Sequence, residues 1–187
     1  MKKGLHGKVL RIGILSGRRM DGVFQENISA NAFYGRIKSF VTLNAISKNL
    51  LPQKIEFTPV DDCAKAIVLL SKTSSLDNKI FHLYNHNLVA LRLIIESLKQ
   101  HGFNIQVLNE EDFKNRIIAY SKSINDSITA IVNDFNTTNL SLDYNFTVNI
   151  KSDFTQKALK TLGFSWKKID KEYLSIIIKY MKDVNFI

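Results

Sequence analysis

The sequence predicts an α/β fold in which short strands alternate with a larger number of amphipathic helices. Apolar, β-branched runs such as Lys8–Ile14 (KVLRIGI) are typical of strands in a sheet. Longer segments repeat apolar residues at helical spacing, and several begin at capping residues and end at glycine. This alternation is typical of α/β proteins. The 187 residues, 45% of them hydrophobic, are expected to form one domain, 1–187, around one good core.

The first half of the chain is predicted to hold two strands and two helices. In order, these are a strand at Lys8–Ile14, a loop at Leu15–Gln25, a helix at Asn27–Ser47 and a strand at Ile55–Phe57. Thr58 is then predicted to cap a second helix that runs to about Lys72. Pro59 would occupy its first position and Asp61 the acidic position of a capping box.

The second half continues the alternation and ends in helices. In order, we expect a strand at Lys79–Tyr84, a helix at Leu88–Gln100 that ends at Gly102, a strand at Asn104–Leu108, a helix capped by Asn109, a helix at Ser127–Phe135, a loop at Asn136–Asn145, a helix from Ser152 to Gly163 and a last helix that begins at Asp170.

Composition argues against several classes of protein. The formal net charge is +9, but the lysines are scattered and no basic run contains interleaved aromatics, so nucleic-acid binding is disfavoured. No apolar run is long enough to span a membrane, and Met1–Lys8 lacks the apolar core of a signal peptide. The single cysteine, Cys63, excludes an intramolecular disulfide and suits a cytoplasmic location.

Familiar catalytic and binding motifs are absent or weak. The early glycines form no G-x-G-x-x-G or P-loop pattern, so the chain has no recognisable phosphate cradle. Tyr34 and Lys38 have Y-x-x-x-K spacing, which would place a phenol and an ammonium on one helical face, but such a pair often arises by chance. His82 and His86 lack a third ligand, so no metal site is expected. Asp61 and Asp62 should raise the pKa of Cys63, which is better interpreted as a small buried residue.

Several motifs, in order along the chain, resemble one family. They are Val9–Arg18 (VLRIGILSGR), Asp21–Asn27 (DGVFQEN), Asn31–Lys38 (NAFYGRIK), Glu56–Val68 (EFTPVDDCAKAIV), Phe81–His86 (FHLYNH) and Leu159–Trp166 (LKTLGFSW). Together they resemble the terminal thioester reductase domains of nonribosomal peptide synthetases, shared with carboxylic acid and aminoadipate reductases, of the extended short-chain dehydrogenase type. The chain departs from the family where Ile14 replaces Asn and Ser16 replaces Thr, which removes an expected polar group near the nicotinamide or substrate.

The resemblance implies that this chain is the carboxy-terminal, substrate-side portion of a Rossmann-like reductase. The missing amino-terminal half would bind NADPH and supply the catalytic Thr or Ser, Tyr and Lys, so no catalytic residue and no NADPH binding are expected in this chain alone. Nicotinamide contacts are implied for Gly13, Ile14 and Leu15. Substrate contacts are implied for Ser16, Gly17, Arg18, Phe24, Gln25, Asn27, Asn31 and Tyr34.

The implied partners are the nucleotide-binding half and a carrier protein that bears the acyl group on a phosphopantetheine arm. Arg18 or Arg19 would pair with a phosphate of that arm or of the cofactor, or lie solvated on the surface. A second hypothesis is a stand-alone module that docks an acidic carrier protein through its basic surface without catalysis. Strand Lys8–Ile14, separated from a larger parallel sheet, would expose an edge and an apolar face, so self-association is also expected.

Overall fold

Short, mostly parallel strand pairs lie among six α-helices in the part of the chain that the computed structural model describes, residues 7–121, 128, 135–136, 141–142 and 150–187. The strands are β1 (Val9–Ile12), β2 (Leu15–Ser16), β3 (Ala45–Ser47), β4 (Lys54–Ile55), β5 (Thr58–Pro59), β6 (Ile80–Leu83), β7 (Val89–Ala90), β8 (Gln106–Leu108), β9 (Phe135–Asn136) and β10 (Ser141–Leu142). The helices are α1 (Ala32–Leu43), α2 (Val60–Ser71), α3 (Leu91–Gln100), α4 (Glu110–Ser121), α5 (Asp153–Thr161) and α6 (Lys171–Asp183).

Three of the strand pairs are parallel and connect distant parts of the chain. β1 pairs with β6, with Val9 opposite Ile80 and Ile12 opposite Leu83. β2 pairs with β5, and β3 pairs with β8. Two further pairs, β4 with β7 and β9 with β10, are antiparallel. Because parallel neighbours need crossover connections, this topology agrees with the predicted α/β class.

Two groups of buried side chains hold these elements together. The larger group lies among α1, α3, α4 and α6 and includes Phe40, Leu98 and Ile178. The smaller group lies between the β1–β6 pair, α2 and α5, and includes Phe81 and Trp166. The first group positions the loops around α1 and α6, which matter for the site described below.

Several predicted helix ends are confirmed by their caps. The Asp170 carboxylate accepts a hydrogen bond from the Tyr173 N–H at 2.9 Å, and Asn109 Oδ1 accepts from the Asp112 N–H at 2.9 Å. Gly102 and Gly163 have φ angles of 92° and 78° just after α3 and α5, which favour glycine. Ser152 precedes α5 but makes no capping bond. Its hydroxyl instead donates to the Tyr84 hydroxyl at 3.2 Å.

The predicted helix Asn27–Ser47 is wrong at both ends. Residues Ile28–Ala30 form a single 3-10 turn, and Asn31 caps α1. Asn44 adopts a left-handed conformation (φ 48°) that ends the helix, and the buried apolar residues after it form β3. Asparagine is among the few residues that tolerate this conformation, which helical periodicity does not reveal.

The predicted cap of α2 is also wrong. Thr58 and Pro59 lie in β5, and the helix begins at Val60 without a side-chain cap. The Thr58 hydroxyl donates to Glu56 Oε1 at 2.7 Å and accepts from the Asn85 N–H at 2.9 Å, while Asp61 accepts from the Arg19 N–H. Long-range hydrogen bonds thus replace the local capping box.

Other boundaries differ from the predictions as well. The predicted buried strand Lys8–Ile14 is shorter, at Val9–Ile12, and it is not buried, since Val9 and Ile12 are exposed. Leu15–Ser16, within the predicted loop, forms β2. Phe135 lies in a strand rather than at the end of a helix, and Asn136 and Ser141–Leu142 are strand rather than loop. The remainder of the predicted segments 127–135 and 136–145, apart from Ile128, lies outside the described residues.

Candidate functional site

The first of the sequence-predicted site residues lie where β1 and β6 end. Gly13 follows β1, and Tyr84 and Asn85 follow its parallel partner β6. Ligands of open α/β sheets bind in the crevice beyond the carboxyl ends of such strands. This edge of the β1–β6 pair is therefore the candidate site.

Gly13 and Ile14 are held at this edge by backbone and carboxylate hydrogen bonds. The Gly13 N–H donates to the Leu83 carbonyl at 2.9 Å, and the Ile14 N–H donates to Glu56 Oε1 at 2.8 Å. A Cβ atom at Gly13 would lie 1.9 Å from Glu56 Oε1, so the carboxylate occupies space that only glycine leaves free. Leu15 continues into β2 opposite Thr58. The Ile14 side chain remains 43% exposed.

Glu56 is a partly buried carboxylate that the sequence-based site did not include. Burial raises the pKa of this carboxyl group above its ordinary value, against the hydrogen bonds from Thr58 and Ile14 that lower it. Its position could not be inferred from sequence, because Glu56 and Ile14 are 42 residues apart. The only local signal is an acid two residues before the TPV segment.

A second group of contacts fixes the loop of residues 16–23, here called the Gly17 loop. The Gly17 N–H donates to the Tyr34 hydroxyl at 2.8 Å, and the Tyr173 hydroxyl donates to the Gly17 carbonyl at 2.7 Å. Since the Tyr173 proton is used in that bond, Ser16 Oγ donates to the Tyr173 oxygen, at 2.8 Å. Burial raises the pKa of both phenols, so both stay protonated at neutral pH.

Glycine is required at position 17 because the loop folds back on itself. A Cβ atom there would lie 2.1 Å from the Gly22 carbonyl oxygen. Gly22 itself has a φ of +73° and lies against the Ile176 carbonyl of α6. The loop is therefore packed tightly on the last helix of the chain.

Both arginines of this loop pair with carboxylates of the chain. Arg18 Nε donates to Asp21 Oδ1 at 2.9 Å on the surface, and this pairing lowers the pKa of Asp21. Arg19 is more enclosed: its Nε donates to Asp62 Oδ2 at 2.9 Å, and its guanidinium lies 5.1 Å from the centre of the Tyr173 ring. Arg19 is thus not a solvated surface residue but joins the loop to α2 and α6.

The polar residues beyond the loop also make contacts within the chain. Gln25 Nε2 donates to the Asn27 carbonyl at 3.0 Å, and Asn27 Oδ1 accepts from the Ser29 hydroxyl at 3.0 Å. Asn31 Oδ1 accepts from the N–H groups of Phe33 and Tyr34 at 3.0 and 3.3 Å. The structure thus places Gln25 and Asn27 on an exposed turn and uses Asn31 as the cap of α1.

Aromatic rings connect this turn to the strand edge. Phe24 packs on Tyr34 with ring centres 5.0 Å apart, and Phe33 packs edge-on against Tyr34 at 5.3 Å and against Phe57 at 4.6 Å. Phe24 and Phe33 are only partly buried, whereas Tyr34 and Phe57 are fully buried. Sequence reasoning selected Phe24 and Tyr34 but missed Phe33, which lies next to Tyr34 within the quoted NAFY motif.

Alternative catalytic groups find no support in the described residues. Lys38 Nζ lies 4.6 Å from the Phe186 ring centre, while the Tyr34 hydroxyl is buried against Gly17, so the Y-x-x-x-K pair does not form a site. Cys63 is buried as predicted, and this burial raises the pKa of its thiol to about 11. The carboxylate that adds to the shift is Glu56, rather than the predicted Asp61 or Asp62. Among the described residues, no cluster of His, Cys, Asp and Glu could hold a metal ion, and no helix could cross a membrane.

A nicotinamide cofactor fits this edge of the chain only in part. The N–H groups of Gly13 and Ile14 already donate to Leu83 and Glu56, so the Ile14 side chain is the free surface that this segment offers to a flat ring. In the described part of the chain, no glycine-rich turn precedes a helix in the way that phosphate binding requires. The residues present suit contact with one end of such a cofactor and do not suit binding of its phosphates.

Comparison with known proteins gives a consistent result. No protein-family model matches the sequence. A curated relative, the glycine betaine reductase ATRR of Emericella nidulans, is 28% identical over 116 residues, which is 60% of this chain and 8% of that protein. The thiolation-reductase di-domain of an archaeal non-ribosomal peptide synthetase matches with a TM-score of 0.81 and 33% identity, over 98% of this chain and 37% of that chain.

A second solved structure shows the same fold at lower identity. The terminal R domain from the myxalamid PKS-NRPS biosynthetic pathway matches with a TM-score of 0.82 and 21% identity, over 98% of this chain and 45% of that chain. The chain therefore spans less than half the length of each of these proteins. The predicted fold class, an α/β portion of an extended Rossmann-like fold, is confirmed.

Proposed function

Because this chain resembles the carboxy-terminal, substrate-side part of the reductase domains of non-ribosomal peptide synthetases, we propose that it is the substrate-side portion of an NADPH-dependent thioester reductase. The observation that carries the proposal is the 33% identity and TM-score of 0.81 over 98% of the chain to a thiolation-reductase di-domain. The complete enzyme would add an amino-terminal, nucleotide-binding half. A cytoplasmic location is part of the same proposal.

In the proposed reaction an acyl or peptidyl group arrives as a thioester on the phosphopantetheine arm of a carrier protein. NADPH, bound mainly by the other half, supplies the hydride. The acyl carbonyl gains that hydride, its C–S bond breaks and the thiol of the arm takes up a proton, which leaves an aldehyde. A second reduction would give the alcohol.

The part of this chain in the reaction is to hold and enclose the acyl group. Gly13, Ile14 and Leu15 would border the nicotinamide at the end of β1. The substrate side would be formed by the Gly17 loop, with Ser16, Gly17 and Arg18, and by the turn that leads into α1. That turn and the first residues of α1 contribute Phe24, Gln25, Asn27, Asn31 and Tyr34. Ser16 and Tyr34 are fully buried, so they would act by shaping the loop.

Calorimetry with NADPH tests this proposal directly. The purified chain should give no binding heat, because its described residues lack a phosphate-binding turn. After the nucleotide-binding half is added, NADPH should bind, and its oxidation should depend on an added acyl-pantetheine thioester. Tight NADPH binding by the chain alone, or no thioester-dependent oxidation after reconstitution, would contradict the proposal.

A second candidate function is a module that docks an acidic carrier protein without catalysis. The net charge of +9 favours it, because complementary charge increases the rate and specificity of association. Binding of a carrier protein that weakens steeply with salt, together with no activity in the reconstituted pair, would support this candidate over the reductase. Thioester-dependent oxidation in the same pair would exclude it.

A further inference from the structure

The surface next to the strand edge is apolar, although most of the residues implied in substrate contact are polar. Six of those polar residues already make side-chain hydrogen bonds within the chain. They are Ser16, Arg18, Gln25, Asn27, Asn31 and Tyr34. Ser16 and Tyr34 are also fully buried. The contacts of Ser16 and Tyr34 order the Gly17 loop and Asn31 caps α1, so these three side chains do not define what the site selects.

What remains accessible at this edge is a set of apolar side chains, here called the apolar wall: Ile14, Phe24 and Phe33. The two phenylalanines are partly buried, and both pack against the ring of Tyr34. Phe33 also contacts Phe57 at 4.6 Å. These contacts fix the rings, which leaves a preformed apolar surface rather than loose side chains.

Ile14 continues the wall toward the end of β1. It lies one residue before the Leu15–Thr58 pair of the β2–β5 register, and its carbonyl accepts from the Thr58 N–H at 3.0 Å. Extending this register by one residue places Ile14 opposite Phe57, the core residue against which Phe33 packs. It is 43% exposed. The Gly17 loop carries a further apolar residue, Val23, which is 38% exposed and immediately precedes Phe24.

From this arrangement we infer that the apolar wall sets the specificity of the site and that the acyl group it accepts is apolar. The inference rests on the proposed reductase function. A charged acyl group placed against the apolar side chains of Ile14 and Phe33 would lose hydration there without gaining a hydrogen bond from them. An apolar chain or an aromatic ring would instead bury surface against rings already in place.

Two acyl-pantetheine thioesters of similar size test the inference in the reconstituted enzyme. They are the 3-phenylpropanoyl thioester, which is apolar, and the glutaryl thioester, which carries a carboxylate. The unmodified enzyme should favour the phenylpropanoyl substrate in kcat/KM by about 10-fold or more. Phe33→Ala should reduce kcat/KM for that substrate by about 10-fold, a larger loss than for the glutaryl thioester. Phe154→Ala, at an aromatic residue that is 51% exposed on α5, serves as the matched control and should change neither.

A second variant keeps the test informative if Phe33→Ala folds poorly. Ile14→Asn alters a side chain that is already 43% exposed, so the fold should tolerate it. This variant should lower kcat/KM for the phenylpropanoyl thioester and so reduce the ratio of the kcat/KM values of the two substrates. If both variants reduce the phenylpropanoyl thioester and the ratio of the two kcat/KM values is unchanged, the inference is wrong. The proposed reductase function would not be affected by that result.

Two other outcomes are also decisive. A preference for the glutaryl thioester would overturn the inference. So would weaker association of the Phe33→Ala chain with the nucleotide-binding half, because the wall would then be an interface between the two halves. No oxidation with any thioester would instead reject the reductase function, and the inference with it.

Discussion

At the scale of single residues, the site region depends on a few groups whose partners are far away in sequence. Glu56 joins the end of β1 to β5 through Ile14 and Thr58, and Gly13 leaves room for its carboxylate. The Tyr34 hydroxyl accepts from the Gly17 N–H, and the Tyr173 hydroxyl donates to the Gly17 carbonyl. These residues shape the edge without being free to meet a substrate.

Glu56 makes the stability of the fold depend on pH. Its pKa is raised in the folded state, so folding favours the protonated form. The contribution is fully present below the unfolded value of 4.5 and is lost as the pH rises through the folded pKa. Glu56→Gln keeps an acceptor for Ile14 but cannot ionise. Its stability relative to the unmodified chain should therefore increase as the pH is raised from 4 to 8.

Urea denaturation at several pH values measures this difference. Glu26→Gln, at an exposed carboxylate in the same half of the chain, is the matched control. A constant difference between Glu56→Gln and the unmodified chain from pH 4 to pH 8 would show that burial does not disfavour the Glu56 carboxylate.

At the scale of elements, the ends of helices could be predicted where local chemistry decides them. Asp170, Asn109, Gly102 and Gly163 act as the sequence indicates, because a cap or a left-handed glycine needs only its own neighbours. The start of α2 could not be predicted, because Thr58 satisfies Glu56 and Asn85 instead of its own helix. Long-range partners of this kind leave no periodic signal.

The same distinction between local and long-range contacts applies to the candidate site. The two segments Gly13–Arg18 and Phe24–Tyr34 were selected by their motifs, and the hydrogen bond from the Gly17 N–H to the Tyr34 hydroxyl shows that they contact each other. Their role in substrate binding stays a prediction. The roles of individual residues could not be predicted, because Phe33 contacts Phe57 and Glu56 contacts Ile14, and neither pair is close in sequence. The Asn44 turn that separates α1 from β3 was missed because apolar periodicity does not reveal a single residue in the left-handed conformation.

Asn31 should control both the stability of α1 and the order of the site. Its side chain accepts from two N–H groups at the start of the helix that carries Phe33 and Tyr34. Asn31→Ala should lower the free energy of unfolding by about 1 kcal/mol. Asn27→Ala is the matched control, since Asn27 makes no side-chain capping bond. Equal losses in urea denaturation of the two variants would contradict a special role for Asn31.

At the scale of the whole molecule, the β1–β6 pair has two different edges. Beside β6, the Thr155 hydroxyl accepts from the His82 N–H at 2.9 Å. Beside β1, no other strand pairs within the described residues. Val9, Ile12 and Ile80 are between 41% and 49% exposed on this pair. An open strand edge with apolar neighbours favours pairing with another chain.

The chain alone should therefore self-associate as its concentration rises. Ile12→Lys places a charge on the open edge and should lower the apparent mass in light scattering. Val68→Lys changes an equally exposed apolar residue, 48% exposed on α2, and should not. If the unmodified chain is a monodisperse monomer, the edge does not drive association.

The contacts that close the Gly17 loop also have a consequence for biosynthesis. Tyr173 lies 156 residues after Gly17, and the carbonyls that accept from Arg19 lie about as far along the chain. At cellular rates of translation, roughly 8 to 30 s pass between synthesis of the loop and synthesis of that tyrosine. During that interval the emerging chain carries its aromatic residues near position 24 without the helix that orders them. Until the last helix is synthesised, these residues lack the packing that it provides, and exposed apolar surface of this kind favours aggregation.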